Sequence, residues 1–187
     1  MTAVMPFDEL NAFKEQLPIH FDESGHIRSA KDEEDIIDEM LDLFLLAYAN
    51  GVNSVNQDFN TDITPEIDTV METVDRRIAD KTWRERVHDY FLSGGTIGDI
   101  IRIAETETHR DSNEAAYVTA VKAGATNKTW NTMLDDRVRD DHYWLEGVTV
   151  PIDGYFYSTG GESTLFPGEW GVPEQDVNCR CFLTFSK

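Results

Sequence analysis

The stretch from residue 128 to 185 most constrains the fold of this chain, because its patterns are short and repeatedly broken by turn residues. Trp130, Thr132 and Leu134 alternate with polar or smaller residues, which predicts a strand over residues 130–134. The aspartate pair that follows supplies turn chemistry. The other features predicted here are a short helix or turn over 138–145, a strand over 148–152, a tight turn at Asp153-Gly154, a loop over 158–175 and a strand over 181–185.

The residues before this stretch repeat their apolar positions at helical spacing. The broadest apolar face belongs to a helix predicted over residues 32–50, which we expect Gly51 to end. That face predicts either burial on several sides of one core or docking on another chain. The other predicted features are a short helix over 7–16, loops near 25–29 and over 52–62, a helix starting at Thr64-Pro65-Glu66 and ending, after a break near Asp80, at Ser93, and a helix over 96–122 stopped by Gly124.

These patterns together predict an α+β fold in two parts. Residues 1–94 form an N-terminal helical region. Residues 95–187 form a C-terminal domain in which a long helix leads into a small antiparallel β-sheet with large loops. The chain has 187 residues, of which 40% are hydrophobic. That is sufficient for one core with a helical arm.

The charge of the chain is strongly negative and unevenly distributed. The net charge is −20. Residues 1–80 contain 19 acidic and 5 basic residues, whereas residues 81–187 contain 17 acidic and 11 basic residues. Because sequence-independent DNA binding depends on Lys and Arg neutralising phosphates, any DNA contact is not expected to use a basic patch. A basic surface on a protein partner is the better match.

The sequence contains neither a secretion signal nor a membrane-spanning pattern. The first residues lack a basic region followed by an apolar core, and no apolar run approaches 18 residues. The two cysteines, Cys179 and Cys181, are one residue apart and cannot form the framework of a secreted disulfide protein. We therefore expect reduced thiols in a chain that works in the cytosol or in an assembly.

Six short blocks occur in order over the second half of the chain. They are Arg102-Ile103-Ala104-Glu105-Thr106-Glu107, Trp130, Asp136-Arg137-Val138-Arg139-Asp140-Asp141-His142, Leu145-Glu146-Gly147, Pro167-Gly168-Glu169 and Asn178-Cys179-Arg180-Cys181. No single block is specific, but their order and spacing resemble the C-terminal domain of the phage Mu protein F-like family. The resemblance covers roughly residues 95 to 185, and Glu169 replaces the aspartate usual in that turn.

This resemblance implies a structural function without catalysis. It implies a minor head protein, or head morphogenesis protein, of a tailed phage or prophage, which associates with the portal inside the head and assists assembly, DNA packaging or ejection. Its partners would be the portal protein, further copies of itself, and capsid or scaffold protein. It would be found in the virion, inside the head, and in the host cytoplasm during assembly, without a membrane.

A zinc site is the sharpest chemical hypothesis, with His142, Cys179 and Cys181 as ligands and Asp176 as a further candidate. Zinc in structural sites takes four ligands in a tetrahedron. Some family relatives carry Cys-x-x-Cys where this chain has residues 139–142, and a His-Pro before the closing block. Here Arg139 stands at a ligand position, and a guanidinium cannot bind a metal. We therefore predict no metal and no cofactor.

The alternative is a salt-bridged structural motif. In this interpretation Arg137 and Arg139 pair with carboxylates such as Glu174, Asp136 or Glu107. His142 is then a hydrogen-bonded core histidine, and the two thiols are small buried groups. The residues assigned to this structural motif are Glu107, Trp130, Asp136, Arg137, Arg139, His142, Asn178, Cys179, Arg180 and Cys181.

Enzymatic function finds little support in the sequence. A cysteine nucleophile with His142 as its base lacks a third, orienting group. A second hypothesis is an effector- or toxin-associated enzyme domain, since relatives of this domain are often fused to effectors. Because the chain ends at Lys187, directly after the shared blocks, we expect no effector here. A zinc-dependent interaction module is the third hypothesis.

Overall fold

The computed structural model describes residues 7–78 and 80–187 and confirms the α+β class. A 3-10 turn over Leu17–His20 follows the first helix. The helices are α1 (Phe7–Gln16), α2 (Ala30–Phe59), α3 (Ile67–Val74), α4 (Trp83–Ser93), α5 (Ile97–Lys122), α6 (Asp140–Tyr143) and α7 (Pro173–Asp176). The strands are β1 (Asn127–Asn131), β2 (Thr149–Pro151), β3 (Phe156–Tyr157), β4 (Ser163–Thr164) and β5 (Phe182–Ser186).

Helix α2 is much longer than the sequence predicted. Residues 52–62 were predicted to be a loop after a stop at Gly51, but the helix continues to Phe59 and ends at Asn60 in a left-handed conformation. Gly51 instead lies where α2 packs closely against α5. A Cβ at this position would lie 2.2 Å from the backbone oxygen of Ser112 in α5. The glycine therefore lets α2 and α5 approach closely, and it does not end the helix.

The start of α5 and the last residues of α4 and α5 were predicted correctly, whereas the start of α4 was predicted only as a break near Asp80. At the start of α4, Thr82 accepts from the backbone of Glu85, whose side chain accepts from the backbone of Thr82. At the start of α5, the Asp99 carboxylate accepts from the backbone N–H of Thr96. Such bonds satisfy N–H groups that have no partner inside the helix. Gly94 and Gly124 both adopt positive φ directly after the helices, as C-terminal stops.

A three-stranded antiparallel sheet forms the C-terminal part, in the order β2-β1-β5. Trp130 in β1 is paired with Leu183 in β5. The first strand ends at Asn131 and not at Leu134 as predicted, because Leu134 has a φ of 54° that no strand allows. The other two strands are also slightly displaced from the predicted ranges. The loop predicted over 158–175 contains strand β4, which pairs with β3, and helix α7.

Two hydrophobic cores lie along α5. The first core joins α1, α2, α3 and α4 to the first half of α5, and the second lies between its second half and the sheet. The apolar face of α2 is used almost entirely inside the first core, where Ile36, Met40 and Phe44 are fully buried. Only Leu46 among its large apolar residues is markedly exposed. The breadth of this face therefore reflects burial on several sides, and the expected apolar surplus for a partner is absent from the described part of α2.

Among the described helices, none combines the length and apolar character required to cross a membrane.

Substituting Gly51→Ala is expected to lower the free energy of unfolding by about 1–3 kcal/mol, because the methyl group would force α2 and α5 apart. Gly98→Ala is the matched control, since its Cβ would meet only the Thr96 hydroxyl at 3.6 Å. That substitution should be neutral or raise stability by up to ~1 kcal/mol. Urea denaturation of both variants measures the difference. Equal stability of the two variants would contradict the close-packing role of Gly51.

Candidate functional site

The side chains of the closing segment, residues 178–181, alternate between more exposed and buried positions. Asn178 adopts a left-handed φ of 59°, and its N–H donates to the hydroxyl of Thr106 in α5 at 3.3 Å. Arg180 points outward and binds both oxygens of Asp135, at 2.7 and 2.5 Å. Cys179 and Cys181 point inward and are buried. The i, i+2 spacing of the cysteines thus places both thiols on one face.

Both thiols meet the imidazole of His142, which α6 holds in the interior. The Nδ1 atom of His142 lies 3.6 Å from the sulfur of Cys179 and 3.5 Å from that of Cys181. His142 is 1% exposed. The backbone carbonyl of Cys181 also accepts from the amide of Asn113 in α5, at 3.0 Å. The structure thus brings together three residues that the sequence singled out, which we call the thiol–imidazole cluster.

The two thiols of this cluster have opposite pKa shifts. A hydrogen bond from Cys181 lowers the pKa of Cys179 well below its usual value, assisted by His142 and opposed by burial. The pKa of Cys181 is raised because its thiol donates this bond and because it is buried. Both thiols therefore find hydrogen-bond partners inside the cluster. Because both sulfurs are buried, this polarisation favours internal hydrogen bonding over attack on a substrate.

Aromatic rings enclose the thiol–imidazole cluster. The rings of Trp170 and His142 stack at 5.7 Å, and Trp130 meets His142 edge-on at 5.5 Å. Phe156 packs edge-on against Trp130 at 5.0 Å. Trp130 was identified from the sequence, but Trp170 and Phe156 were missed. Their only signal was an aromatic residue in a stretch of irregular structure, which is not specific.

The ligand geometry for a metal ion is incomplete. Within the described ranges, the ligand atoms of His142, Cys179 and Cys181 all lie within 4.8 Å of one another, a distance that suits three ligands of one ion. Asp176, the further candidate, does not join them. Its two oxygens accept from the backbone N–H groups of Trp170 and Gly171, at 2.9 and 2.8 Å. The cluster is thus one ligand short of a closed tetrahedral zinc site.

The middle of α5, residues 106–115, is buried on every side although it is mostly polar. Its charged residues form what we call the buried ion network with arginines from the preceding segments. Glu107 contacts Arg86 and lies 2.7 Å from Arg110, which also binds Asp111 at 2.9 Å. Glu114 contacts Arg76, which lies 3.6 Å from Glu169. Arg110 also donates to the backbone carbonyl of Thr73 in α3, at 3.1 Å, so the network joins α3, α4, α5 and the loop before α7.

Burial and neighbouring charges oppose each other within the buried ion network. Burial raises the pKa of Asp111 well above its usual value, although Arg110 acts in the opposite direction. Burial likewise raises the pKa of Glu114 against the effects of Arg76 and Arg110. For Arg110, burial would lower the pKa, but Asp111 and Glu107 outweigh it and the pKa is raised. Each charge is therefore tolerated only because its counter-charges are in place.

The predicted arginine–carboxylate pairs are wrong in their partners. Glu107 binds Arg86 and Arg110, neither of which the sequence singled out, and Arg139 donates to the backbone carbonyl of Val177. Arg137 is largely exposed and lies 3.9 Å from Asp135. Its nearest carboxylate partner is therefore Asp135 and not Asp136, the predicted partner. Arg86 and Arg110 were missed because an arginine on a helix is usually solvated. Only the tertiary structure shows that Arg110 is buried.

The Pro167-Gly168-Glu169 turn packs directly on the buried ion network. Gly168 has a φ of 94°, and a Cβ there would lie 3.1 Å from the Cβ of Arg110. Glycine is required for both the positive φ and the close approach. Glu169 adds a carboxylate near Arg76. The turn thus links the loop to α5, which explains the place of this block in the pattern.

Comparisons with known proteins identify similar chains. The family model described as Phage Mu protein F like protein matches residues 67–184. The match thus begins upstream of residue 95, at which the resemblance in the sequence begins. "Minor head protein GP7" of Bacillus phage SPP1 is 34% identical over 85 residues, which are 44% of this chain and 28% of that protein. "NAD(+)--arginine ADP-ribosyltransferase EFV" of Enterococcus faecalis is 35% identical over 85 residues, 43% of this chain and 17% of that protein. The chain thus matches less than a third of either relative's length. No solved structure matches.

Replacing Glu107 by Gln should destabilise the protein strongly, by about 3–5 kcal/mol, because it removes the buried counter-charge of Arg86 and leaves Arg110 with Asp111 alone. Glu105→Gln, two residues away on the same helix, is the control. Its carboxylate is about a third exposed and contacts Lys14 on the surface. Loss of that contact should cost about 0–1 kcal/mol. Equal losses in urea denaturation would show that the network contributes no more than a surface pair.

The protein is expected to contain no stoichiometric zinc, because the cluster offers three ligands and Asp176 is engaged elsewhere. Elemental analysis of protein purified without chelators measures this directly. Cys179→Ser should then leave the metal content unchanged. One zinc per chain that is lost in Cys179→Ser would contradict the expectation and identify the cluster as a metal site.

Proposed function

The chain belongs to the phage Mu protein F-like family, and on this basis we propose that it is a minor head protein of a tailed phage or prophage. It associates with the portal protein inside the forming head. Its further partners in this proposal are other copies of itself and capsid or scaffold protein. It assists assembly, DNA packaging or ejection. It is present in the virion and, during assembly, in the cytoplasm of the bacterial host.

The observation that carries this proposal is the family match over residues 67–184. The contacts made by the matched residues support the proposal, because they serve packing. Glu107, Gly168 and Asn178 all hold segments together. The relative from phage SPP1 bears the name of a minor head protein, which agrees with this function. The matched region thus has the features of a rigid building unit.

Enzymatic function is the second candidate, because the Enterococcus relative is named as an ADP-ribosyltransferase. The shared region is 17% of that protein, and its name does not assign the activity to this region. In the present chain the strongest nucleophile candidates, Cys179 and Cys181, are 4% exposed. We therefore propose that this chain is not an enzyme, and that the shared region serves as a packing module.

The docking surface that we propose lies on α2 and depends on charge. Glu34, Asp38 and Asp42 recur every four residues along α2 and are all exposed. Residues at this spacing share one helix face. They form a continuous stripe, which we call the acidic stripe, in the part of the chain that carries most of its net charge. A basic surface on the portal complements this stripe and would accelerate association at low salt.

Reversing charge in the acidic stripe, by Asp38→Lys with Asp42→Lys, should reduce co-purification with the portal protein. The loss should be largest at low salt, because charge attraction is screened as salt rises. The matched control is Asp136→Lys with Asp153→Lys, which makes the same charge change at exposed positions in the C-terminal part. If the control pair weakens portal binding and the stripe pair does not, the C-terminal part is the docking element. If neither pair matters at any salt concentration, charge does not direct docking.

A further inference from the structure

A cavity of about 570 Å³ opens between α1, α5, the segment after β1 and the closing segment. Its volume lies within the usual range for small-molecule sites. Basic and amide side chains dominate its walls. The residues lining it are Leu10, Asn11, Lys14, Glu105, His109, Arg137, Arg139, Asn178 and Arg180. We propose that this cavity binds a small anion of the phosphate class, either inorganic phosphate or the phosphoryl group of a small metabolite.

The charge of the lining is opposite to that of the chain. Four basic residues, Lys14 and three arginines, face one lining carboxylate, that of Glu105. The whole chain has only 16 basic residues against 36 acidic ones. Burial lowers the pKa of His109 to about 4, so its imidazole is neutral near pH 7 and adds no charge. The cavity is therefore a local cationic site on an acidic protein.

The donors come from several walls, which suits a tetrahedral anion. Asn11 and Lys14 belong to α1, Arg137 and Arg139 to the segment after β1, and Asn178 to the closing segment. A phosphate group offers several acceptor oxygens in different directions, whereas a carboxylate offers two in one plane. Arginine binds phosphate through a planar fork of N–H groups. A phosphate can thus use more of these walls at once than a carboxylate can.

The three arginines differ in how far their donors are already used. Arg180 binds Asp135 with both ends of its fork. Arg139 donates to the carbonyl of Val177. Arg137 retains only a distant contact with Asp135, at 3.9 Å, and its side chain is 73% exposed. Arg137 is thus the arginine best able to turn toward an incoming anion, with Arg139 supplying further charge and Lys14 offsetting the charge of Glu105, its ion-pair partner.

The size and surroundings of the cavity favour a small anion over a nucleic acid. Binding to a nucleic-acid backbone gains affinity from many phosphate contacts along a strand. Here the basic groups converge on one cavity, while the net charge of −20 repels a long polyanion. A compact anion interacts with the local site and avoids most of this repulsion, since charge effects decay within about 8 Å at physiological salt.

The same arginines border a second, much smaller cavity beside the thiol–imidazole cluster. Arg137, Arg139 and Arg180 line it together with His142 and Cys181. The positive charge of Arg139 also favours the ionised form of Cys181, although burial and the bond to Cys179 dominate its pKa. Neither His142 nor a cysteine lines the larger cavity. The proposed site is thus separate from the buried sulfurs, and it requires no metal.

Isothermal titration calorimetry on the full chain tests the proposal, with inorganic phosphate and pyrophosphate as the probes in a chloride buffer of constant ionic strength. Saturable binding of one anion per chain is expected. Arg137→Gln should weaken it by ~10-fold or more, the loss expected for one charge-assisted hydrogen bond. Arg102→Gln, an equal charge change at a half-exposed arginine paired with Asp99 outside the cavity, should leave the affinity unchanged.

Lys14→Gln is the second variant and removes a charge from another wall of the cavity. It should also weaken binding, even if Arg137→Gln fails to fold. Absence of saturable binding to the unmodified chain would overturn the proposal, as would equal losses in Arg137→Gln and Arg102→Gln. Glutarate and a single-stranded oligonucleotide are the two further probes in the titration. If either binds more tightly than pyrophosphate in a manner sensitive to Arg137→Gln, the ligand is a carboxylate or a nucleic-acid backbone, and the phosphate assignment is wrong.

Discussion

The middle of α5 is buried on every side and carries three carboxylates. The fold must therefore supply counter-charges for them in a region without access to water. Isolated charges in such a position would be very costly. Arg110 lies between Glu107 and Asp111, while Arg86 and Arg76 reach Glu107 and Glu114 from neighbouring segments. Because Arg86 and Arg76 come from outside α5, Arg110 also donates to Thr73 in α3, and Glu169 lies near Arg76, the segments around α3, α4 and the loop before α7 all assemble on α5. The network therefore specifies one arrangement of the chain.

The two hydrophobic cores follow from this central position of α5. Its first half completes the core of the helical region, and its second half completes the core beneath the sheet. Polar side chains between them hold the closing segment. Thr106 accepts from the backbone of Asn178, and Asn113 donates to the carbonyl of Cys181. The turn at Gly168 and the closing segment, although distant from α5 in sequence, thus meet along this helix, which suits a rigid unit in a larger assembly.

The thiol–imidazole cluster fits this structural interpretation. The closing segment alternates its side chains, so that Arg180 binds Asp135 at the surface while both cysteines meet His142 inside. Aromatic rings enclose the imidazole and separate the sulfurs from solvent. A buried polar group requires hydrogen bonds, and the sulfurs and Nδ1 provide them for one another. The cluster therefore closes the second core, with the arginine-lined cavity outside it.

The sequence by itself determined the elements whose causes are local. The start of α5 and the glycine stops after α4 and α5 depend on neighbouring residues and were predicted, whereas the equally local cap of α4 was missed. The ordered blocks also identified the family, because their spacing is specific even where each block is not. The meeting of His142 with the cysteines was inferred from that order and from ligand chemistry.

Only the tertiary structure decided the features that depend on contacts distant in sequence. Gly51 resembles a helix stop until the backbone of Ser112 is found beside it. The partners of Glu107 are Arg86 and Arg110, because the fold brings α4 against α5, and no local pattern distinguishes these arginines from solvated ones. Residues 132–134 lie outside the strand since Leu134 adopts a left-handed conformation, despite their alternation. Packing and charge pairing across the fold thus overrode local preference wherever the two disagreed.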